Sequence, residues 1–216
     1  MATSKPTPIG QCKLIDVRLS FPKLFTPEAS VADGPLKFGS NFMIAPLADD
    51  DEREDHCDKN LAAAKKAYDA VYASQWKDKK VILKDDRKAY REGEKFTNQE
   101  TGEIYAGYEG AMIVTASRKA AKAKDPNDSS HARMRPPMFR RNKDPIKDDD
   151  GTLYGGCRVD AVVNFYAVTG QEKGGNGIFA TIEAIRFRRD DTPFGAAAVG
   201  ADAFDDLDDE DDDGGI

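Results

Sequence analysis

Basic residues are concentrated in one stretch of this chain, from Arg118 to Lys143, with Met134, Met138 and Phe139 among them. The stretch holds nine Lys or Arg residues against two acids, Asp125 and Asp128, and it includes the aromatic residue Phe139. Cationic side chains neutralise phosphates and release counterions, and flat side chains stack on bases that only an unpaired strand exposes fully. The stretch therefore indicates a contact with single-stranded nucleic acid, although a solvated basic loop has the same composition.

Smaller groups of aromatic and cationic residues lie elsewhere in the sequence. One group at the end of the first expected strand contains Arg18, Phe21 and Lys23, and the pair Tyr105 and Tyr108 lies between glycines. An alternative role for these aromatic residues is to cover the ends of a barrel. The full set of predicted DNA-binding residues is Arg18, Phe21, Lys23, Tyr105, Tyr108, Arg118, Lys119, Arg133, Arg135, Phe139, Arg140, Arg141, Arg158 and Tyr166.

Motifs that bind phosphates, metals or catalytic nucleophiles are missing from the sequence. It contains neither GxxxxGK[ST] nor GxSxG, and the glycines between 170 and 177 fit a hairpin better than a dinucleotide loop. Its two histidines have no zinc-like spacing to cysteines. We therefore expect no catalytic residue, no metal site and no cofactor. A metal-dependent nuclease is an alternative, because its carboxylates, such as Asp16, Asp160 and Glu183, come from scattered positions.

The acidity of the chain is concentrated at its C-terminus. Residues 200–216 carry nine carboxylates and no Lys or Arg, so the net charge of −7 becomes +2 for the remainder, which has 32 basic and 30 acidic side chains. A dense acidic terminus can occupy a cationic groove when nucleic acid is absent and recruit proteins when it is present. A solubilising disordered end is the alternative. The residues predicted to bind partners are Phe204, Asp205, Asp206, Leu207, Asp208, Asp209, Glu210, Asp211, Asp212 and Asp213.

The composition favours one globular domain rather than a disordered or membrane protein. Eleven Phe, seven Tyr and one Trp in 216 residues argue against wholesale disorder. No stretch approaches the ~20 apolar residues that a membrane span needs, and the N-terminus lacks the apolar run of a signal peptide. We expect a cytoplasmic protein with no membrane contact. Its three cysteines are widely spaced and odd in number, which indicates reduced thiols rather than a disulfide framework.

The elements that must position these residues are mostly strands. Apolar residues alternate or cluster over 12–19, 38–45, 80–83, 111–116, 157–168 and 177–188, and helical spacing recurs over 49–77. Phe21-Pro22 is expected to end the first strand, and a change of apolar parity near Ala184 indicates a β-bulge. Turn residues over 169–176 predict a hairpin, and residues 118–147 are expected to form a long loop.

These elements predict a mainly β (α+β) fold. We expect an oligonucleotide-binding (OB) fold, a five-stranded Greek-key barrel, with extra strands, one main helix and long loops. The chain divides into a flexible N-terminus (1–10), one OB-fold single-stranded DNA-binding domain (11–195) and a disordered acidic C-terminal tail (196–216).

Three segments that span the chain carry a family resemblance. They are DVRLSFPKLF (16–25), YGGCRVDAVVNFYAV (154–168) and GNGIFATIEAIRFRRDDTPFG (175–195). In this order they resemble a family of phage-encoded single-stranded DNA-binding proteins. The resemblance implies the fold, a single-stranded DNA ligand and a setting in phage replication or recombination, and it supplies no residue-by-residue list of contacts.

The sequence thus predicts a non-enzymatic protein that coats and protects single-stranded DNA without strong sequence preference. Its acidic tail is expected to compete with DNA and to recruit phage or host replication and recombination proteins. Self-association into a homodimer is a further contact to test. The alternatives are a recombination mediator that anneals complementary strands, a metal-dependent nuclease, and an acidic-tailed chaperone of basic proteins.

Overall fold

The computed structural model describes residues 7–29, 31–48, 51–77 and 79–195, and these residues form one seven-stranded sheet. Its strands lie in the order β3-β4-β2-β1-β6-β7-β5, and every neighbouring pair is antiparallel except β5 and β7. The elements are β1 (Gln11–Glu28), β2 (Lys37–Ile44), α1 (Cys57–Trp76), β3 (Tyr90–Glu92), β4 (Met112–Lys119), β5 (Met138–Phe139), β6 (Arg158–Val168) and β7 (Gly177–Arg189).

The sheet curls until β4 and β7 approach each other. Ala89, just before β3, links the two strands: its N–H donates to the carbonyl of Ile178 at 2.7 Å, and its carbonyl accepts from the N–H of Thr115 at 2.8 Å. Arg118 adds a second link, because its Nη1 donates to the carbonyl of Ile182 at 3.2 Å. The described residues therefore have a mainly β, OB-like fold with one α-helix, as the sequence predicts.

The main core lies on the inner face of the curled sheet, where α1 packs against β1 and β6. Apolar residues at a spacing of three to four give α1 one buried side, and alternation gives each strand one inward face. Tyr68 of α1 meets Phe165 of β6 edge to face, with ring centroids 5.7 Å apart. Each fully buried aliphatic side chain contributes about 1.5–3 kcal/mol. Along β6 and α1 the buried apolar residues are Val159, Ala161, Val163, Phe165, Ala64, Ala67, Val71 and Trp76.

Strand β1 is longer than expected because bulges, rather than a strand end, absorb its irregular sequence. The prediction that Phe21-Pro22 ends the strand is wrong, since β1 continues to Glu28. Its pairing shifts register between Leu14 and Val17 and again between Ser20 and Lys23. Asp16 and Phe21, inside these bulges, have left-handed backbone with φ of 54° and 46°. Each bulge reverses which residues face the core, so the outward residues change along the strand.

Most of the other element predictions are confirmed. The hairpin over 169–176 joins β6 to β7, and a register shift leaves Glu183 as the bulged residue next to Ala184. The long loop predicted over 118–147 begins after β4 ends at Lys119, and the connection that follows contains the two-residue strand β5. The strand predicted over 80–83 is wrong, because these residues pair with no strand, and the helix begins at Cys57 rather than at residue 49.

The structure describes only part of the predicted N-terminal segment and none of the predicted C-terminal tail. Gly10, assigned to the flexible N-terminus, is buried, and its carbonyl accepts a hydrogen bond from the N–H of Phe165 at 2.9 Å. Residues 1–6 and the predicted acidic tail (196–216) lie outside the described residues. Among the residues described, no helix is long and apolar enough to cross a membrane.

Candidate nucleic-acid interface

The outward-facing residues of β1, β2 and β4 form one continuous surface, which we call the outer face. The inner side of the same strands carries core residues such as Leu19, Phe42 and Val114. Because neighbouring strands are in register, outward residues from the three strands lie side by side in rows. The rows, from one end to the other, are Arg18–Met43–Ile113, Ser20–Asn41–Thr115, Lys23–Gly39–Ser117 and Glu28–Lys37–Lys119.

A second apolar cluster covers the first row of the outer face, and we call this region the aromatic end. The loop over 93–111 folds across β2 and β4 and buries Tyr108 against Met43 and Ile113. Gly93 permits this close approach, because a Cβ at that position would collide with the carbonyl of Tyr108. The aromatic end therefore has its own small core, on the opposite side of the sheet from the main one.

Phe21 and Tyr105 are the accessible rings of the aromatic end. The β1 bulge turns Phe21 outward, where 48% of the residue is exposed, and Tyr105 is half-buried beside it. Their ring centroids are 4.9 Å apart at an interplanar angle of 70°. Exposed aromatic rings fixed on a rigid sheet are suited to stacking on unpaired bases. Both residues were predicted from the sequence, and the structure brings them together.

Tyr108 supports these rings and offers no face of its own. The residue is only 1% exposed, its hydroxyl donates to Oγ of Ser20 at 2.9 Å, and Nδ2 of Asn41 donates to the same hydroxyl at 2.9 Å. Burial raises the pKa of Tyr108, so the hydroxyl stays protonated at neutral pH. The sequence prediction that Tyr108 contacts DNA is corrected here, because a buried ring cannot stack on a base.

The opposite end of the outer face carries lysines. Lys37 and Lys119 lie directly opposite each other on β2 and β4, and neither makes an ion pair with a described residue. Like charges in a direct cross-strand pair destabilise a sheet, and Glu28, opposite Lys37 on β1, is the carboxylate of this row. Lys23, in the neighbouring row, pairs with Glu28. A groove of about 600 Å³ next to Lys119 is lined by residues of 29–36 and 119–124, and it extends the basic region.

Several arginines that the sequence assigned to DNA instead stabilise the fold. Arg18 lies over the ring of Phe194 at 4.0 Å and donates to the carbonyl of Gly156 at 3.3 Å, and burial lowers its pKa. Arg158 donates to Asp191 at 2.6 Å and to the carbonyl of Asp16 at 2.9 Å. These two side chains fasten the segment after β7 to β1, so most of their N–H groups are already occupied.

Three arginines of the basic stretch also stabilise the fold, because their N–H groups are occupied by other parts of the protein. Arg118 donates to the carbonyls of Met134 and Ile182, as described for the link between β4 and β7. Arg135 donates to the carbonyl of Phe25 at 3.1 Å and to that of Lys147 at 2.7 Å. Arg140 pairs with Asp150 and donates to the hydroxyl of Thr152. A long connection without regular structure leaves backbone carbonyls unpaired, and arginines satisfy them here.

Besides Lys119, three predicted residues of the stretch are accessible for binding. Arg133 and Arg141 are exposed and form no ion pair with a described residue, and Phe139 is half-buried on the edge strand β5. They lie at different places and do not form one surface with the lysines. The basic stretch thus divides into structural arginines and separate exposed cations, which composition alone does not distinguish.

Tyr166 marks a second exposed aromatic patch, on the outward side of β6. It is 41% exposed, as its predicted position on the non-core face requires, and its ring centroid lies 6.2 Å from that of Phe179. Arg87 covers the other ring at 4.9 Å and donates to the carbonyls of Lys173 and Gly175 in the hairpin loop. Burial raises the pKa of Tyr166, so its ring remains neutral.

Two buried aspartates form the feature that sequence reasoning missed. Asp160 accepts from Arg186 and, at 3.2 Å, from Arg188, while Asp16 accepts from Arg189 at 2.8 Å. Burial raises the pKa of Asp160, but the hydrogen bonds from Arg186 and from the N–H of Asp16, together with the positive charges of Arg188 and Arg186, outweigh it, so the net pKa is lowered. In the sequence, the available indication of these ion pairs was the segment RFRRDD (186–191), which follows the bulge beside Ala184. These carboxylates are occupied by arginines, which leaves the nuclease alternative without free metal ligands at Asp16 and Asp160.

The described residues contain no cluster of three or more His, Cys, Asp or Glu side chains that could hold a metal ion. Burial raises the pKa of Cys12 and of Cys157 to about 11, so both thiols stay protonated at neutral pH. His131 is buried, and its Nδ1 accepts from the N–H of Ala121 at 3.0 Å while its other nitrogen faces the carbonyl of Asp125 at 2.9 Å. The two cysteines and His131 therefore have structural roles.

Comparison with known proteins gives consistent matches. The family model described as Enterobacter phage Enc34, ssDNA-binding protein, matches residues 11–214. Protein p50 of Acyrthosiphon pisum secondary endosymbiont phage 1 is 30% identical over 203 residues, which cover 90% of this chain and 92% of that protein. These matches confirm the family resemblance seen in the sequence.

Solved structures agree in fold. The single-stranded DNA-binding protein from bacteriophage Enc34 in complex with ssDNA is 20% identical, with a TM-score of 0.60 over 86% of this chain and 90% of that one. Its C-terminal truncation is 18% identical, with a TM-score of 0.57 over 89% and 97%. The single-stranded DNA-binding protein of bacteriophage T7, at 11% identity and a TM-score of 0.46 over 95% and 98%, is too distant to support an argument. By the match over residues 11–214 and the identity to a phage protein, this chain belongs to the Enc34 family of phage single-stranded DNA-binding proteins.

Proposed function

We propose that this protein coats single-stranded DNA through its outer face, without strong sequence preference, during phage replication or recombination in the cytoplasm of the infected bacterium. The observation that carries the proposal is the layout of that face: Phe21 and Tyr105 form one end, and the opposed lysines Lys37 and Lys119 form the other. Bases would stack at the aromatic end while phosphates follow the lysines. The family of this chain consists of binding proteins rather than enzymes.

The lack of sequence preference follows from the kind of contact. A stacked ring accepts any base, since every base has a π-face, and a lysine reads only the phosphate. Stacking contributes about 1–3 kcal/mol per base, and one OB fold covers about 4–16 nucleotides. Lysine contacts also make the affinity fall with salt, with a log–log slope near −0.7 for each phosphate neutralised on a single strand.

We further propose that β1, β2, β4, β6 and β7 form a five-stranded Greek-key barrel that closes between β4 and β7. The contacts of Ala89 and Arg118 across this gap support it. In OB folds the second and third strands and two flanking loops bind oligonucleotides. Here those strands correspond to β2 and β4, which carry the outer face. The hairpin loop between β6 and β7 corresponds to a flanking loop, so the Tyr166 patch is a second stacking position.

The acidic segment 196–216 is proposed as a competitor for this interface and as a docking arm for replication and recombination proteins. Its composition of nine carboxylates in residues 200–216 supports the electrostatic part. Its attachment point supports the geometric part: Phe194, two residues before the segment begins, packs on the aromatic end beneath Arg18. A tethered anion that starts beside a cationic surface reaches an effective concentration on the order of millimolar.

Fluorescence anisotropy tests the central proposal. Labelled single-stranded DNA, duplex DNA and RNA of equal length are titrated with the full-length protein across a salt series. We expect tighter binding to the single strand than to the duplex, and an affinity for the single strand that falls steeply with salt. Equal affinity for single strand and duplex would refute stacking on unpaired bases. Light scattering of the same samples reports whether the protein self-associates.

A further inference from the structure

Arginines of β7 and of the segment before α1 meet in a shallow concavity outside the outer face. Its volume is about 290 Å³, and we call it the arginine concavity. Four guanidinium groups and two carboxylates line it, which gives a formal excess of two positive charges. The lining residues are Asp16, Arg53, Glu54, Arg141, Arg188 and Arg189.

The carboxylates of the concavity are already paired. Asp16 is bound by Arg189 at 2.8 Å, and Nε of Arg188 lies 3.5 Å from it, while Glu54 is paired with Lys59 at 2.7 Å. Arg141 forms no ion pair with a described residue, and Nη1 of Arg189 is buried without a hydrogen-bond partner among them. Arg53 is paired with Asp51, but its side chain is more than half exposed and would exchange that carboxylate for a phosphate. Together with Arg141 and Nη1 of Arg189, it gives the concavity N–H donors that suit an oxyanion.

A second, larger concavity joins this one to the aromatic end. Its volume is about 720 Å³, and Arg53 lines both concavities. Met43 and Gly107, at its other side, belong to the aromatic end, where Gly107 lies against the ring of Phe194. Arg18 and Arg158 line the passage between them. Asp51, Glu52 and Asp191 line this larger concavity as well, so Arg53, which lines both concavities, is the cationic link between the aromatic end and Arg141.

We infer that the arginine concavity binds phosphodiester groups of the same DNA strand whose bases stack at the aromatic end. This inference rests on the proposed function and extends its site by a phosphate-binding segment. A guanidinium presents two parallel N–H groups that match two phosphate oxygens, and the buried aspartates hold Arg188 and Arg189 in fixed orientations. Continuity with the aromatic end favours a nucleic-acid strand over other anions, because the backbone must continue where the bases stack.

The test compares two double variants that remove the same net charge. Arg53→Ala/Arg141→Ala changes the rim of the concavity, and Lys65→Ala/Lys66→Ala changes exposed lysines on α1. Each is titrated across salt with an oligonucleotide of about 16 nucleotides, the upper end of the span of one OB fold. We expect the first variant to lower the magnitude of the log–log salt slope by about 1.4, equal to two phosphates, and the second to leave it unchanged.

Equal slopes for the wild type and Arg53→Ala/Arg141→Ala would overturn the inference. Tighter binding by that variant would also overturn it and would assign the concavity to the chain's own acidic segment. If the double variant is less stable, Arg141→Ala alone repeats the test, since Arg141 pairs with no described residue, with an expected change of about 0.7. A wild-type protein that does not prefer single strands refutes the proposed function, whereas wild-type preference with unchanged variant slopes refutes only this inference.

Discussion

The ring of Phe21 meets the ring of Tyr105 edge to face, with centroids 4.9 Å apart, although 84 residues separate them in the sequence. The contact lies on the opposite side of the sheet from the main core, and the left-handed backbone of Phe21 within a β1 bulge is what aims its ring outward. Large rings kept exposed by a strained backbone indicate a surface used for binding.

Removing these rings should weaken DNA binding without unfolding the protein. For Phe21→Ala/Tyr105→Ala we expect a loss of about 1–3 kcal/mol per stacked base in affinity for single-stranded DNA, measured by anisotropy. The control is Ile82→Ala, which shortens an 87% exposed apolar side chain outside the apolar cluster of the aromatic end. An equal loss in both variants, or none in either, would count against stacking at the aromatic end.

The opposed lysines make a separate prediction. In Lys37→Ala/Lys119→Ala the magnitude of the salt slope should fall by about 1.4 on a single strand, because two phosphate contacts are lost. The same variant should be about as stable as the wild type in a thermal melt, because the change removes the like-charge pair Lys37–Lys119 and also the opposite-charge cross-strand pair Glu28–Lys37. An unchanged slope would mean that these lysines do not contact phosphates.

Tyr108→Phe separates support from contact at the aromatic end. The variant keeps the buried ring but removes the hydroxyl that joins Ser20 to Asn41, so we expect a loss of about 1–3 kcal/mol in the free energy of unfolding. Denaturant titration measures this loss, and DNA affinity should stay unchanged under conditions where the variant is folded. A folded variant with weaker DNA binding would instead place the hydroxyl in the interface.

The Asp160 ion pairs predict how stability depends on pH. Because the folded-state pKa of Asp160 is lowered, the unfolded chain binds more protons near its ordinary pKa of about 3.9, and the stabilisation is lost as pH falls below that value. Asp160→Asn should cost about 1.5–3 kcal/mol at pH 7 and flatten the acid limb of the stability profile. Asp69→Asn, in an exposed pair with Lys65, is the control and should change little. If Asp160→Asn loses stability at acid pH as steeply as the wild type, the acid dependence does not come from the Asp160 ion pairs.

Deleting residues 200–216 should tighten binding to single-stranded DNA. The effect should be largest at low ionic strength, where the Debye length grows from about 10 Å at 0.1 M to about 30 Å at 0.01 M. A full-length variant with the nine carboxylates changed to Asn or Gln separates charge from bulk and should match the deletion. Equal affinity of the wild type and both variants at low salt would remove the competition proposal.

The sequence alone was sufficient to predict the strands in which apolar and polar residues alternate regularly. Strands β6 and β7, their hairpin and the bulge beside Ala184 follow from apolar parity, because one face of each strand is buried. The extension of β1 beyond Phe21-Pro22 could not be read in this way. Two bulges reverse its inward face, and a non-glycine residue in the left-handed region gives no sequence sign of tolerating it.

Charge counts located the basic stretch but not the roles of its members. Arg118 and Arg135 bind backbone carbonyls that are distant in sequence, so their use depends on tertiary structure. Tyr108 was indistinguishable from Tyr105 by composition, and only the fold shows that one is buried and the other is accessible. Lys37, which pairs across strands with Lys119, was missed because it lies outside the basic stretch.

The join between β4 and β7 determines where the protein is most easily opened. Every other neighbouring pair among the long strands shares a ladder of backbone hydrogen bonds, whereas this join relies on Ala89 and on the guanidinium of Arg118. Local opening follows the line with fewest such bonds. Amide hydrogens along β4 and β7 that face the join should therefore exchange with solvent deuterium sooner than those between β1 and β6. The molecule therefore has a line of easiest opening between β4 and β7, and a strand of DNA bound at the proposed site on the outer face of β4 would lie next to it.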